Sequence, residues 1–212
     1  MFKGCTSLTQ APALPATTLA ECCYDSMFYS CTSLTQAPAL PATTLADYCY
    51  SNMFYSCSSL TKAPELPAAT LTNRCYDGMF QGCTSLTQAP TILPAETLTE
   101  YCYSSMFKGC TSLTQAPELP AATLAECCYD SMFYGCTSLT QAPELPAATL
   151  AEYCYYEMFT KCTSLTNAYF PNLDSNTVID EVVGNQEAFY NAASNIETQC
   201  SDKTIIINST SV

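Results

Sequence analysis

Histidine and tryptophan are both absent from this chain of 212 residues, and basic residues are scarce. Six lysines and arginines stand against nineteen aspartates and glutamates, which gives a formal net charge of −13 at pH 7. Nucleic acids and anionic membrane surfaces are bound largely through lysine and arginine, so this balance argues against both as partners. Without histidine, a serine or cysteine nucleophile also lacks its usual general base. We therefore expect no enzyme and no catalytic residue.

Long apolar runs are also missing. Hydrophobic residues make up 48% of the chain, but no run approaches the roughly 20 residues that cross a bilayer, so we expect no membrane insertion. The chain opens with Met1 and Phe2 in the middle of a repeat, and these first residues contain no signal peptide. We expect the export signal and an N-terminal cap to lie upstream, in a longer protein.

The feature that dominates the sequence is an internal repeat. The dipeptide Met-Phe recurs every 26 residues, with a single spacing of 27 where Thr91-Ile92-Leu93-Pro94 is one residue longer than its counterparts. We expect a local bulge there and no break in the stack. A unit this short cannot bury its own core, so its copies must stack. The sequence predicts a single solenoid of about seven turns over residues 1–170, closed by a capping segment over residues 171–212.

Each repeat carries signals for one short helix and one short strand. In the sixth repeat, Thr149 and Glu152 match a capping box, and Leu150, Cys154 and Met158 follow the spacing of a buried helix face. The segment Cys-Thr-Ser-Leu-Thr-Gln-Ala-Pro favours a strand of three or four residues, stopped by its proline. The predicted fold is therefore an α/β repeat solenoid, leucine-rich-repeat-like, with one short parallel strand and one short helix per turn. Glycines just past the helical pattern are expected at helix C-caps: Gly4, Gly82, Gly109 and Gly135.

The repeat pattern ends beyond Cys162. Residues Asp174–Ala193 predict a longer helix, and Ile196–Cys200 and Thr204–Ile207 predict the two strands of a β-hairpin. An atypical end of this kind is expected to cover the last turn and to present a polar outer face.

The sixteen cysteines follow the repeat. All but Cys22, Cys127 and Cys200 form two columns, one after Met-Phe and one before a recurring tyrosine. No Cys-x-x-Cys spacing occurs, so we expect no metal site and no cofactor. Buried free thiols and disulfides both remain open. Thiols are favoured because stacked side chains point the same way, away from disulfide geometry. A serine in place of Cys57 is then expected to bury an unpaired hydroxyl.

Two groups of surface residues are candidates for ligand binding. A polar column should line the strand side, where solenoids commonly bind, although a solvated face explains it equally well: Gln10, Gln36, Lys62, Gln88, Gln115, Gln141 and Asn167. Variable tyrosine columns offer a large contact area at low entropy cost, with simple solubility as the other explanation: Tyr48, Tyr101, Tyr153, Tyr29, Tyr55 and Tyr134. The unbroken tyrosine column from Tyr24 to Tyr155 is expected to be packing, and the acidic column from Glu21 to Glu152 is expected to cap helices.

The residues Phe-x-Gly-Cys-Thr-Ser-Leu-Thr, followed by Leu-Pro and a short helical segment, resemble the BspA-like (bacterial surface protein A-like) leucine-rich repeats. The final stretch Ile196–Asp202 resembles the closing hairpin of such proteins. Two departures are the length of the unit and the Ala-Pro that replaces an isoleucine-rich strand. The resemblance implies secreted or cell-surface proteins of host-associated bacteria, with relatives in protists and bacteriophages.

That resemblance implies a non-catalytic extracellular or cell-surface binding and adhesion module, with a protein or glycan ligand on a host or neighbouring cell. The alternative is a structural one: a self-assembling fibre or phage-fibre component that associates end to end through its uncapped N-terminal turn.

Overall fold

The computed structural model describes residues 1–165 and the backbone of two strands, β1 (Ala168–Phe170) and β2 (Ile205–Ile207). The chain coils so that each repeat forms one turn, here called a rung, whose backbone bonds to the next rung. The amide of Phe2, for example, donates to the carbonyl of Met27 at 3.0 Å. The predicted repeat architecture is therefore confirmed. The described rungs cover residues 1–26, 27–52, 53–78, 79–105, 106–131 and 132–157, with a seventh beginning at Met158.

The predicted helix of each repeat is wrong, because none of residues 1–165 is in an α-helix. A run of consecutive turns, here called the turn ribbon, takes its place in every rung. Every fourth residue of the ribbon has a positive φ, as at Cys22 (54°), Ser26 (51°) and Ser30 (56°). Such φ values are incompatible with a right-handed helix. The turn ribbons span residues 21–30, 47–56, 73–82, 100–109, 126–135 and 152–161.

Backbone hydrogen bonds in the turn ribbon alternate between two directions. The amides of Cys23 and Met27 donate to carbonyls three residues earlier, at 3.3 and 3.2 Å, which closes β-turns. The amides of Tyr24 and Phe28 point along the solenoid axis and donate to the next rung, to Cys49 and Met53, at 3.0 and 2.9 Å. Each rung thus satisfies in its neighbour the groups that a helix would satisfy internally.

The strand side of each rung is shorter than predicted. In place of strands of three or four residues, it carries isolated parallel bridges between rungs, such as Gln10 with Gln36 and Lys62 with Gln88. Proline shortly after each bridge prevents a longer ladder, because it has no amide hydrogen. A second bridge, such as Thr18 with Thr44, lies where the capping box was predicted.

The extra residue at positions 91–94 does not interrupt the stack. Ile92 makes a parallel bridge with Glu118 in the following rung. The Thr91 amide donates to the carboxylate of Glu65 in the preceding rung, at 3.1 Å. The insertion is therefore absorbed within its loop, as expected.

The core consists of side-chain ladders along the solenoid axis. From Phe2 to Phe159 the phenylalanine rings stack with centroids 5.5–5.7 Å apart. The unbroken tyrosine column stacks at 5.6–5.8 Å, and its rings from Tyr50 to Tyr155 are buried, so this column is packing as predicted. Apolar area removed from water in continuous ladders supplies the stability that no single repeat could provide.

Fifteen described cysteines are free thiols, and twelve of them are buried. Burial raises the pKa of Cys49 to about 11 and that of Cys57 to about 12. The column after Met-Phe also makes a repeated hydrogen bond: each thiol from Cys31 to Cys162 donates to a phenylalanine carbonyl of the preceding rung at 3.0–3.2 Å. These thiols thus fill space and hold neighbouring rungs together.

β1 and β2 pair in parallel, with Ala168 opposite Ile205 and Phe170 opposite Ile207. The predicted strand over 204–207 is therefore confirmed for residues 205–207. This strand pairs in parallel with β1, whereas the two strands of a β-hairpin pair antiparallel. The predicted helix over 174–193 and the strand over 196–200 lie outside the described residues, and the division between solenoid and cap after residue 170 stays a prediction.

Candidate functional site

The described residues of the polar column predicted on the strand side lie together on one surface. Gln10, Gln36, Lys62, Gln88, Gln115 and Gln141 are all exposed and occupy the same position in successive rungs. The bridges Gln10–Gln36 and Lys62–Gln88 fix their backbones side by side. Asn167, the last member predicted, lies outside the described residues.

Three adjoining cavities form a groove beside this column, here called the strand-side groove. The first, of about 730 Å³, is lined by Gln36, Lys62 and Gln88 together with Pro64 and Glu65. The second, of about 450 Å³, shares Lys62, Glu65 and Gln88 with the first. Because adjoining cavities share residues, the groove crosses successive rungs.

The third cavity, of about 560 Å³, continues the groove as far as Pro146. It shares Glu118 with the second cavity and adds Glu144. One wall of the groove is therefore built from the Pro-x-Leu-Pro corner of each repeat, which the sequence reasoning did not include among the candidates. A proline at each end of the corner has its own φ fixed by its ring, so this wall is rigid. The Pro-x-Leu-Pro spacing, which all repeats but the one with the insertion share, was the signal that could have found it.

The strand-side groove is unevenly charged. Glu65, Glu118 and Glu144 lie in its later rungs, whereas Ala39 occupies the equivalent position near its start. Lys62 is the one cation among the residues that line the three cavities. The groove thus combines amide hydrogen-bonding groups, rigid apolar corners and an acidic end.

The variable tyrosines lie on the turn ribbon, away from the strand-side groove, and form two ladders. The first ladder occupies a position with positive φ in every rung: Cys22, Tyr48, Arg74, Tyr101, Cys127 and Tyr153. Arg74, the single arginine of the chain, lies 3.9 Å from the ring centroid of Tyr101 and 6.0 Å from that of Tyr48. It also forms an ion pair with Asp77 at 3.1 Å.

Hydrogen bonding with the Cys127 thiol raises the pKa of Tyr101 to about 12. Tyr48 and Tyr153 are the most exposed tyrosines of the first ladder, at 40% and 44%. Tyr153 packs edge-on against Tyr156, with ring centroids 5.8 Å apart. Contacts around Arg74 thus hold the middle of the first ladder, and Tyr156 supports Tyr153.

The second ladder lies seven residues further along each rung. The ring of Tyr29 stacks on Tyr55 at 4.5 Å, and the Lys3 amine lies 4.4 Å from its centroid. The ring of Tyr134 has Lys108 at 4.5 Å and Lys161 at 4.8 Å, from the preceding and following rungs. Because groups of neighbouring rungs cover both faces of Tyr29 and Tyr134, these two rings are poor platforms for stacking a ligand.

No metal centre is found in the part of the chain that the structure describes, where no group of three histidine, cysteine, aspartate or glutamate residues could hold an ion. The acidic column from Glu21 to Glu152 is exposed and caps no helix, which corrects its predicted role. One member of this column connects two rungs, because Asp47 accepts a hydrogen bond from the backbone amide of Asn73 at 3.1 Å.

Comparison with known proteins places the repeat in a family. The profile of the BspA type leucine-rich repeat region matches residues 1–114 and 77–211, in six copies. No curated protein sequence matches this chain significantly.

Two solved structures align with part of this chain. A leucine-rich repeat protein of T. pallidum, TpLRR, aligns with 18% identity and a TM-score of 0.40 over 65% of this chain and 53% of its own. A leucine-rich repeat protein from Bacteroides ovatus aligns with 17% identity and a TM-score of 0.31 over 79% of this chain and 56% of its own. The chain therefore spans little more than half the length of either protein.

Proposed function

The chain belongs to the BspA-type leucine-rich repeat family, and on that premise we propose that it is a non-catalytic binding or adhesion module of the cell surface or extracellular space. The family has binding and structural roles and is generally surface-associated. Within the described residues, no helix is long and apolar enough to cross a membrane. The ligand in this proposal is a protein or glycan carried by a host or neighbouring cell.

The strand-side groove is the observation that carries this proposal. Ligand sites are concave and combine apolar walls with a few placed polar groups. The groove has both, since Pro64 and Pro67 stand beside Gln36 and Lys62. It runs across rungs from Gln36 to Pro146, so it suits an extended ligand that lies along the solenoid axis.

The charge of the groove supports a ligand with basic groups. Glu118 and Glu144 are exposed at its later end, and the whole chain carries a net charge of −13. Complementary charge steers association and selects partners. A ligand with its positive charge over the last rungs is therefore favoured over a uniformly acidic one.

A protein and glycan array probed with the full chain tests the proposal and identifies the ligand class. The groove variant Gln88→Arg, which adds bulk and charge beside Lys62, is expected to weaken binding of an array hit by about tenfold or more, or about 1.4 kcal/mol. Affinity is measured by surface plasmon resonance at fixed salt.

The matched control makes the same change on the other face of the same repeat. Gln81→Arg lies in the second ladder, where Lys3 and Lys108 occupy the equivalent position, so it should fold normally and keep affinity. Equal losses in both variants, or loss only in Gln81→Arg, would place the ligand elsewhere and refute the groove proposal.

A second candidate function is end-to-end assembly through the first rung. Phe2, Leu8 and Tyr24 are only half-buried there, whereas their counterparts Phe28, Leu34 and Tyr50 are buried. Exposed ends of a solenoid favour association. Size-exclusion chromatography with light scattering tests this candidate function. A monomer whose mass does not change with concentration would refute it. Polymers joined through the first rung would make it the leading function in place of adhesion.

A further inference from the structure

Two neighbouring rungs in the middle of the solenoid contain buried hydroxyl groups that lack a hydrogen-bond partner among the residues that the structure describes. They belong to Thr72 and Tyr76 in the third rung and to Thr99 and Tyr103 in the fourth. Thr99 has the thiol of Cys102 as a neighbour, but sulfur is a weak acceptor. Native proteins satisfy the large majority of their buried polar side-chain atoms, so these hydroxyls need a partner.

The threonines concentrate polar atoms in these two rungs. The position that they share is alanine in the other described rungs: Ala20, Ala46, Ala125 and Ala151. Thr72 lies four residues before Tyr76, and Thr99 lies four residues before Tyr103. Because the turns of the ribbon repeat every four residues, each threonine precedes its tyrosine in the same row of the rung.

The two tyrosine hydroxyls are spaced for a bridging molecule. The rings of Tyr76 and Tyr103 are each 1% exposed, and they stack with centroids 5.7 Å apart and an interplanar angle of 7°. Hydroxyl oxygens on two equivalent, nearly parallel rings stand about as far apart as the ring centroids. That separation is too long for a direct O–H···O bond of about 2.7–2.8 Å, but it is close to twice that length.

The charge state of the surrounding groups indicates what kind of molecule fits. Burial is the largest cause that raises the pKa of Tyr76, Tyr103 and Cys75 well above their ordinary values, and it raises the pKa of Cys102 to about 12. These groups are therefore neutral at pH 7. An ion buried among neutral groups would be costly, whereas a small neutral molecule that both donates and accepts would satisfy the hydroxyls.

We propose that the third and fourth rungs enclose an internal water site, in which one water molecule bridges the hydroxyls of Tyr76 and Tyr103. Buried waters in proteins typically make about three hydrogen bonds to polar groups that would otherwise be unsatisfied. Water at this site joins two rungs through the interior, as the cysteine thiols do through their bonds to phenylalanine carbonyls. The site is separate from the strand-side groove and does not depend on the proposed binding function.

The variants Tyr76→Phe and Tyr103→Phe test the bridge, because each removes one hydroxyl and keeps the stacked ring. Oxygen-17 relaxation dispersion of water counts the molecules that exchange with bulk solvent more slowly than the protein tumbles. Each variant is expected to lose one such molecule. The double variant should also lose only one, because both hydroxyls bind the same water. The matched control Tyr55→Phe removes a hydroxyl of the second ladder, outside the core, and should keep the count.

Stability gives a second readout whose sign depends on the bridge. Loss of a satisfied hydroxyl should increase the equilibrium constant for unfolding, measured in urea, by about threefold to tenfold in each single variant. The effects should be less than additive in the double variant, since the two hydroxyls share one partner. A hydroxyl without any partner would give the opposite sign, because its removal would relieve a desolvation cost.

Three results would overturn the proposal. An unchanged water count in Tyr76→Phe or Tyr103→Phe would mean that the hydroxyls hold no long-lived water. A loss of two molecules in the double variant would mean separate waters and no bridge. An equilibrium constant for unfolding that falls in either single variant would mean an unsatisfied hydroxyl. None of these results bears on ligand binding in the groove, so the two proposals fail separately.

Discussion

The thiol of Cys57 lies 3.1 Å from the carbonyl oxygen of Phe28, 29 residues earlier in the chain. The same carbonyl accepts the amide of Cys31 at 3.0 Å. Both of its lone pairs are thus used, one within the turn and one by the next rung. The cysteine column is therefore a set of inter-rung hydrogen bonds as well as a packing column.

This contact changes the expectation for serine substitutions. A hydroxyl at Cys136 would be buried but would have a hydrogen-bond partner, because the Phe107 carbonyl lies 3.1 Å from the thiol sulfur. At Cys128 the thiol approaches its nearest acceptor, Cys154, only at 3.9 Å. We expect Cys136→Ser to destabilise less than Cys128→Ser by about 1 kcal/mol, the net value of a hydrogen bond. Urea unfolding measures both.

Alanine variants at the same two positions are the control. Both cysteines are fully buried, so Cys136→Ala and Cys128→Ala should each cost roughly 1–2 kcal/mol for a small buried group and its cavity. A serine penalty that is equal at the two sites would mean that the Phe107 contact contributes nothing.

Thiol reactivity should divide the described cysteines sharply. The thiolate is the reactive form, and burial raises the pKa of Cys57 and Cys102 to about 12. Native protein is expected to label quickly at Cys5, Cys22 and Cys23, the exposed three, and slowly at the other twelve. Pulsed labelling with mass spectrometry measures this, and a reductant should leave Tm unchanged. Labelling of Cys57 as fast as Cys5, or a sharp fall of Tm on reduction, would contradict it.

The sequence was sufficient to predict the repeat, its core columns and the polar surface column, because each follows from equivalent positions in a stack. The sequence was insufficient to predict the local backbone conformation of each rung. Leu150, Cys154 and Met158 lie at a strict spacing of four, which is close to the 3.6-residue period of a helix and predicts a helix face. Over eight residues a helix drifts by roughly 80° from that spacing, whereas alternating turns do not drift. Asp77-Gly78 inside the supposed helix was the turn signal that favoured the correct reading.

The sequence predicted the polar column of the candidate site but not the proline wall of the groove. Gln36, Lys62 and Gln88 could be placed on one surface from their spacing alone. The wall containing Pro64 and Pro67 could not, because it depends on where the corner of each rung turns. The tyrosines of both ladders are exposed or half-buried. The cover given to Tyr134 by Lys108 and Lys161 comes from side-chain directions that column order does not specify.

Backbone strain at Ser56 offers a way to stabilise the protein. Its φ is 56°, a region that glycine enters without a Cβ penalty. Ser56→Gly is expected to stabilise by roughly 0.5 kcal/mol, after the added entropy of the unfolded chain is subtracted. Gly82→Ala should destabilise by about 1 kcal/mol or more, because its φ is 74° and its Cβ would lie 3.1 Å from the Ser56 hydroxyl.

The double variant tests whether those two rungs are coupled. Removing the Ser56 hydroxyl takes away the closest contact of the new Cβ, which leaves 3.6 Å to the backbone. Gly82→Ala should therefore cost less in the Ser56→Gly background, as measured by a double-mutant cycle in urea. If the effects of the two substitutions on the free energy of unfolding were simply additive, the strain of Gly82→Ala would be confined to its own rung.

Two half-buried carboxylates should give the protein an unusual pH dependence. Burial is the largest cause that raises the pKa of Asp77 and Asp130 above the ordinary value of 3.8, against smaller lowering effects from Arg74 and Ser131 respectively. A group whose pKa is raised by folding binds protons more tightly in the folded state. Its contribution is fully present below the ordinary value and is lost as the pH rises through the raised value.

The free energy of unfolding should therefore increase as the pH falls from 7 toward 4, which is opposite to the behaviour of carboxylates whose pKa is lowered by folding. Relief of repulsion in a chain with a net charge of −13 acts in the same direction. The double variant Asp77→Asn and Asp130→Asn separates the effect of the raised pKa values from that of net charge, since it removes both carboxylates and leaves most of the net charge. We expect the free energy of unfolding of this variant, measured by urea unfolding at constant ionic strength, to depend less on pH. An unchanged slope would assign the effect to net charge alone, and stability that increased with pH across this window would refute the raised pKa values.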